Sequence, residues 1–314
     1  MKKIIYLDQN KWIELSRCYY GREVQDETKE ILNLVEKKSL SGEWIFPLSI
    51  IHYNETRTRK QEEQREKLAK FMGIISKNWG IYPYRFDKRN EFKLNTLKRE
   101  YTPIKYNPGC LFGKLYNPSE LLTKMNLKIS DKQKDEINDT ISRFNFFLYF
   151  NKYGEDDSVI DEFREDNKMY QQCFEGLREE NTEHPISEKY KEAVLFAQCF
   201  EKEYGYVFKE LEEYQKSKLT DNKKKEMEYK FYQDRIPKSF YTNMFLIYQS
   251  KLKNTQRKNH INDYKDIVSI SEALPYCDVL ITEKYWSSLI IEHGLDKYFN
   301  TVVSDDIKVL KGLV

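Results

Sequence analysis

Short apolar runs of strand length stand near both ends of the chain, and each leads into a helix-forming segment. No other feature narrows the possible folds as much. "KKIIYLD" carries Ile4 to Leu7 straight into Asp8, and "DVLIT" places Val279 to Ile281 ahead of Thr282 and Glu283. Uninterrupted apolar runs of this length read as strands buried on both faces, the pattern of a parallel sheet. The first run precedes predicted helices over 12–20 and 25–38 and a second short strand in "EWIFP". A single long helix is then expected over "SIIHYNETRTRKQEEQREKLAKFMGII", with Ser49 as its N-cap. Towards the other end, "NDYKDIVSISEAL" reads as a helix stopped by Pro275. "EKYWSSLIIEHG" is a helix closed by Gly294, and "FNTVVS" is a final strand. Strand–helix units at both ends predict one α/β domain with a central parallel sheet built from residues 1–60 and 236–314. Residues 61–235 then form a mainly helical insertion.

Within that insertion, "YTPIKYNPGCLFGKLYNPSELL" is rich in turn formers and is expected to be an irregular but packed connection. "SDKQKDEINDTISRFNFFLYF" sets Ile137, Ile141, Phe144 and Leu148 on one helical face. "SEKYKEAVLFAQCFEKEYGYVFKELEEY" has similar helical character. Aromatic residues make up 15% of the chain, and helix packing is the reading that accounts for most of them. Charge is unevenly spread. Residues 151–214 carry 18 acidic against 8 basic residues, whereas 215–260 carry 12 basic against 4 acidic ones. The basic stretch is a candidate phosphate-binding surface.

Composition removes several classes of function. Charged residues reach 33% and mean hydropathy is -0.80, with no apolar stretch approaching the roughly 20 residues of a membrane span. Asp8 interrupts the first apolar run too early for a secretion signal. The cysteines Cys18, Cys110, Cys173, Cys199 and Cys277 are scattered and form no CxxC pair. This usage predicts reduced thiols in a cytoplasm, without a disulfide framework or a zinc site.

A carboxylate at the tip of a buried strand is costly to desolvate unless something positive sits beside it. Asp8 occupies such a tip, Glu55 follows the second strand, Asp266 lies in the first turns of a predicted helix, and Glu283 directly follows "DVLIT". In a parallel sheet with crossover helices, strand C-terminal tips and neighbouring helix starts gather at one edge, where such folds bind ligands. Carboxylates converging there repel one another unless divalent cations neutralise them, and Mg²⁺ and Mn²⁺ prefer oxygen donors. Asp263, three residues before Asp266, is either an accessory to that group or a favourable charge at a helix N-terminus. His52 and His260 read as structural or exposed. Arg57, Arg59 and Lys60, which follow Glu55, are either solvated charges or contacts for phosphates at the rim.

Taken in order, these motifs resemble the PIN-domain nucleases. "LDQN" at Leu7 to Asn10 looks like that family's opening signature, "SIIHYNE" like its second motif, "DIVSISEAL" like its third and "DVLITEK" like its fourth. The resemblance covers roughly the first 60 and the last 75 residues. It departs from the family at Lys284, where an aspartate is usual, with Glu283 standing one position early. The resemblance implies a PIN-like three-layer α/β/α domain and metal-dependent hydrolysis of phosphodiester bonds, with Mg²⁺ or Mn²⁺ as cofactor. Asp8, Glu55, Asp266 and Glu283 are then the catalytic and metal-binding residues, supported by Asn10, which orients Asp8, and by Asp263. Nucleic acid is the implied partner, RNA ahead of DNA, in an endoribonuclease of toxin or defence type open to a protein regulator. The alternative is a non-catalytic PIN-like scaffold that recruits partners or nucleic acid through its helical insertion.

Overall fold

The computed structural model describes residues 2–22, 25–113, 144–153, 188–254 and 262–314, with a few isolated positions between these stretches. In chain order the elements are β1 (Lys3–Leu7), α1 (Gln9–Tyr19), α2 (Asp26–Leu40), β2 (Trp44–Ile45), α3 (Ile50–Arg57), α4 (Glu62–Ser76), β3 (Trp79–Ile81), α5 (Tyr84–Thr96), β4 (Ile104–Tyr106) and a 3₁₀ turn (Pro108–Phe112). There follow α6 (Phe146–Tyr153), α7 (Glu188–Gln215), α8 (Asp221–Asp234), α9 (Lys238–Ile247), a π-helix (Tyr248–Lys253), α10 (Asp263–Ala273), β5 (Val279–Ile281), α11 (Lys284–Glu292), α12 (Leu295–Phe299), β6 (Val302–Ser304) and a 3₁₀ helix (Ile307–Leu313). The face expected from Ile137 and Ile141 lies outside the described residues.

Two compact units emerge. One contains the described residues within 1–87, 102–163 and 272–314, and the other those within 88–101 and 164–271. This division differs from the expected one over 61–87, 102–163 and 236–271. The helix α4 packs on α1, α2, α3 and α6, and so belongs with the sheet, whereas α9 packs on α7.

The first unit is α/β. Its four-stranded sheet has the order β2-β1-β5-β6 and is parallel throughout, so the two inner strands come from opposite ends of the chain. Ile5, Tyr6 and Leu7 pair with Val279, Leu280 and Ile281, and all six are buried. Burial on both faces explains why each strand is an apolar run and not an alternating one. The core beneath is aromatic. Trp12 and Trp286 are fully buried, and Trp12 meets the edges of Phe46 and Phe71 at 6.2 and 6.0 Å between ring centroids.

The single long helix expected after Ser49 is two helices. The Thr58 hydroxyl donates to the Asn54 and Glu55 carbonyls at 2.9 and 3.2 Å, occupying acceptors of the last turn, and α3 ends there. The chain resumes as α4 only at Glu62. The connection expected to be irregular also contains regular structure, since β4 pairs antiparallel with β3, Trp79 opposite Tyr106.

In the helical unit, α7 carries a ladder of rings at helical spacing. Phe196 stacks on Phe200 at 5.6 Å and Phe200 on Tyr204 at 4.9 Å, with Phe92, Phe231 and Phe240 closing around them. Phe196, Phe200, Tyr204 and Phe240 are core, with Phe92 and Phe231 half-buried around them. The N-terminal amides of α9 are capped from outside the helix. Glu91 accepts the Ser239 N–H at 2.8 Å and Asn95 the Lys238 N–H at 2.9 Å.

Candidate active site

The C-terminal tips of β1 and β5 lie side by side, and the backbone continues that pairing one residue further. The Asp8 N–H donates to the Ile281 carbonyl at 2.8 Å. Asp8 is the N-cap of α1, its Oδ1 accepting the Gln9 N–H at 2.7 Å. Glu283 occupies the equivalent N-cap position of α11 with its side chain free of that helix. Each strand therefore delivers a carboxylate to the same sheet edge at the start of the helix that follows it. Asn10, on the first turn of α1, donates its Nδ2 proton to Glu283 Oε1 at 2.9 Å. Asn10 thus fixes Glu283, where the expectation was that it would orient Asp8.

The electrostatics of this corner follow from burial. Desolvation pushes the Asp8 carboxyl up to about 6, and the negative charge of Glu283 acts in the same direction. The Gln9 amide and, more weakly, Lys11 oppose the rise. An isolated half-buried carboxylate beside a second carboxylate is the situation a hard divalent cation relieves, and both groups offer oxygen donors suited to Mg²⁺ or Mn²⁺.

Helix α3 is tied to this tip on both sides of Asp8. His52 Nδ1 accepts the Ser49 N–H at 3.0 Å, so the ring proton resides on Nε2, which donates to the Leu7 carbonyl at 2.8 Å. Gln9 Nε2 donates to Thr56 Oγ1 at 3.0 Å. Glu55 lies on α3 in the turn between His52 and Thr56, and its charge acts on Arg59. His52 is fully buried, stacks on Tyr6 at 4.9 Å and is held neutral, its pKa lowered to about 4 by desolvation. It is therefore a structural hinge pin between β1 and α3. Asn54, beside Glu55, is buried with neither amide atom hydrogen-bonded among the described residues, and the same holds for Gln9 Oε1.

Asp266 is half-buried on α10, in the part of that helix counted with the helical unit. Asp263, in the preceding turn, is an ion-pair residue. Its carboxylate, buried to 4% exposure, pairs with the buried Lys251 ammonium. It also accepts both arms of Arg257, at 2.7 and 2.6 Å, and the His260 N–H at 2.9 Å. Most of its acceptor capacity goes to these donors, so the contacts Asp263 makes in the structure are those of an ion-pair residue at the start of α10. Among the described residues, no group of three or more His, Cys, Asp or Glu side chains stands close enough to hold a metal ion. The structure thus gathers Asp8, Asn10 and Glu283, with Glu55 on a helix anchored beside them.

Two other acids near the sheet serve local structure. Asp278 Oδ2 accepts the Ile4 N–H at 2.7 Å at the opposite end of β5, and Asp306 caps the last 3₁₀ helix through Lys308 N at 2.9 Å. Compared with protein-family models, with curated proteins and with solved structures, the chain matches none.

Proposed function

We propose that this protein is a metal-dependent endoribonuclease of the PIN-like kind, with the three-layer arrangement that kind implies. The observation that carries the reading is the pairing of Asp8 and Glu283 at the adjacent tips of β1 and β5, held by Asn10. A parallel sheet presents its ligand site at this edge. Bound here, Mg²⁺ or Mn²⁺ supplies an activated water and neutralises charge on the phosphodiester. Asp8 and Asp266 are the proposed primary ligands, with Glu55 and Glu283 binding directly or through water. Asn10 keeps Glu283 turned to the edge, and Asp263 acts only by stiffening the start of α10 through Lys251 and Arg257. RNA is the proposed substrate, in a toxin- or defence-type role open to a protein regulator. A cytoplasmic location accords with the free thiols Cys18, Cys110 and Cys277.

A second reading, a non-catalytic PIN-like scaffold, is favoured by Lys284, which puts a cation where the resembling family places an acid. One experiment separates the two. Labelled RNA and DNA are incubated with Mg²⁺, with Mn²⁺ and with excess chelator, using the wild type and Asp8→Asn. Cleavage that needs metal and is lost in Asp8→Asn supports the nuclease. Cleavage unchanged by chelator or by the substitution overturns it.

A further inference from the structure

A second charged surface lies in the α/β unit, away from the acidic edge. The last turn of α1 and the residues after α1 and α3 line a shallow cleft against α4, with Arg17, Tyr20, Arg22, Arg59, Gln64 and Lys67 in its wall. Its volume is about 70 Å³, room enough for a phosphate group.

Three arginines converge here, and the nearest acids, Glu63 towards Arg22 and Glu55 towards Arg59, act on them without forming an ion pair. Arg17, Arg22 and Arg59 form no ion pair among the described residues, in a chain where acidic and basic residues are nearly equal in number. Lys67 is the exception, bonded to Glu63 at 2.5 Å while its ammonium lies 5.8 Å from the centre of the Tyr20 ring. Arg17 and Arg59 are close enough to act on each other, and partial burial and the Arg17 charge both disfavour the Arg59 cation, only partly offset by Glu55. A helix C-terminus stabilises a nearby cation, which accounts for Arg17 in the last turn of α1. It does not account for Arg22 or Arg59, which lie beyond their helices. The Tyr20 hydroxyl is hidden from solvent and has no hydrogen-bond partner among the described residues. Like charges converge here beside an unspent hydroxyl, an arrangement that costs free energy unless an anion completes it.

We propose that this cleft is a binding site for a phosphate group, gripped by the Arg17 and Arg59 guanidiniums. Planar guanidinium forks match the oxygens of a tetrahedral phosphate two at a time, and lysine does not reproduce that geometry. The site is independent of the chemistry proposed at the acidic edge. Arg17 nonetheless stands on the helix that Asp8 caps, about 13 Å further along at the rise of an α-helix. A phosphate in the cleft therefore belongs either to a nucleic-acid backbone that also reaches Asp8, or to a free phosphate or mononucleotide.

The test uses the full chain in excess chelator, so that no metal-dependent step takes part. Inorganic phosphate, a nucleoside monophosphate and labelled oligouridine are titrated against the wild type, Arg17→Gln/Arg59→Gln and Arg17→Lys/Arg59→Lys. Calorimetry and fluorescence anisotropy report binding, and melting without ligand checks folding. Saturable binding to the wild type, with a loss of about 10-fold or more in the glutamine variant and nearly as much in the lysine variant, is expected. If the ligand is a backbone, the loss falls on oligouridine and its salt slope becomes shallower by about 1 to 2. If the ligand is free phosphate, the loss falls on the small anions and oligouridine is unaffected. Equal binding by all three proteins, equal binding of oligoglutamate, or no binding of any phosphate probe to the wild type overturns the proposal.

Discussion

Asn10 and Glu283 are 273 positions apart in the chain and 2.9 Å apart in space. That hydrogen bond joins the first turn of α1 to the residue that starts α11, and it turns the Glu283 carboxylate towards the edge where Asp8 emerges. Asn10→Ala removes the restraint while leaving both carboxylates. If the edge holds Mn²⁺, the concentration for half-maximal cleavage should rise about 10- to 100-fold, as for other partners that orient a ligand. A titration superimposable on the wild type would show that Asn10 is a bystander.

Glu283 and Asp266 are not expected to be equivalent. Glu283 is exposed and followed by Lys284, whose charge opposes a nearby cation, whereas Asp266 comes from the most regular of the motifs. Glu283→Ala should retain part of the activity and Asp266→Ala should abolish it. Parallel Mn²⁺ titrations decide this, and wild-type behaviour of Glu283→Ala would exclude it from the site.

Asp8 carries a stability cost that its substitution should reveal. Its folded pKa of about 6 lies above the ordinary 3.8, so the folded protein binds the extra proton. Stability is highest below the ordinary value and declines as pH rises through about 6. Asp8→Asn keeps an N-cap and removes the charge. At pH 7 it should be more stable than the wild type by about 1–3 kcal/mol, with the difference vanishing below about pH 4. Urea midpoints measured across this interval test it, and a less stable Asp8→Asn at neutral pH would contradict it.

His52 titrates in the opposite sense. Its pKa falls from 6.5 to about 4 on folding, so its stabilisation is complete above pH 6.5 and is lost as pH falls towards 4. Because Asp8 acts over nearly the same interval, the His52 slope is best read in the Asp8→Asn background. His52→Gln should flatten the acid limb there and lower stability at pH 7 by about 1–3 kcal/mol through the buried bonds to Ser49 and Leu7. An unchanged acid limb would assign it to other groups.

The buried ion pair of the helical unit gives a sharper loss. Asp263→Ala removes the carboxylate paired with the Lys251 ammonium, which is 1% exposed, and should cost about 3–5 kcal/mol. Adding Lys251→Met should recover part of that loss, because the buried charge goes with it. Thermal denaturation of the single and double variants provides the comparison, and a double variant no more stable than the single would refute this account.

What the sequence made legible, and what it hid, follows the range over which each interaction acts. Ile5 to Leu7 and Val279 to Ile281 announce themselves because a strand covered on both faces has no room for a polar residue, and Ser49 marks a helix start through a bond three residues long. The break after Thr58 was missed because the charged residues beyond it suit a helix as well as a turn, and one hydroxyl decides between them. β3 and β4 are three residues each, too short for any period to register. Asp263 looked like a dipole partner because Lys251 and Arg257, 12 and 6 residues earlier, reach it only once the π-helix and its following turn are in place. Asp8 was recognisable as costly from its position alone, but its neighbour across the sheet edge, Glu283, comes from the far end of the chain.

The sheet's two inner strands are made at opposite times. β1 is made before its partner β5, which is separated from it by 274 positions. At about 5–20 residues per second, roughly 14 to 55 s of synthesis separate the two strands. During that interval β1 has only β2 to pair with, and Asp8 faces no Glu283. A nascent chain therefore lacks the acidic edge until β5 has been made. On the nuclease reading, the order of synthesis itself keeps the active edge unassembled throughout the interval between the two strands.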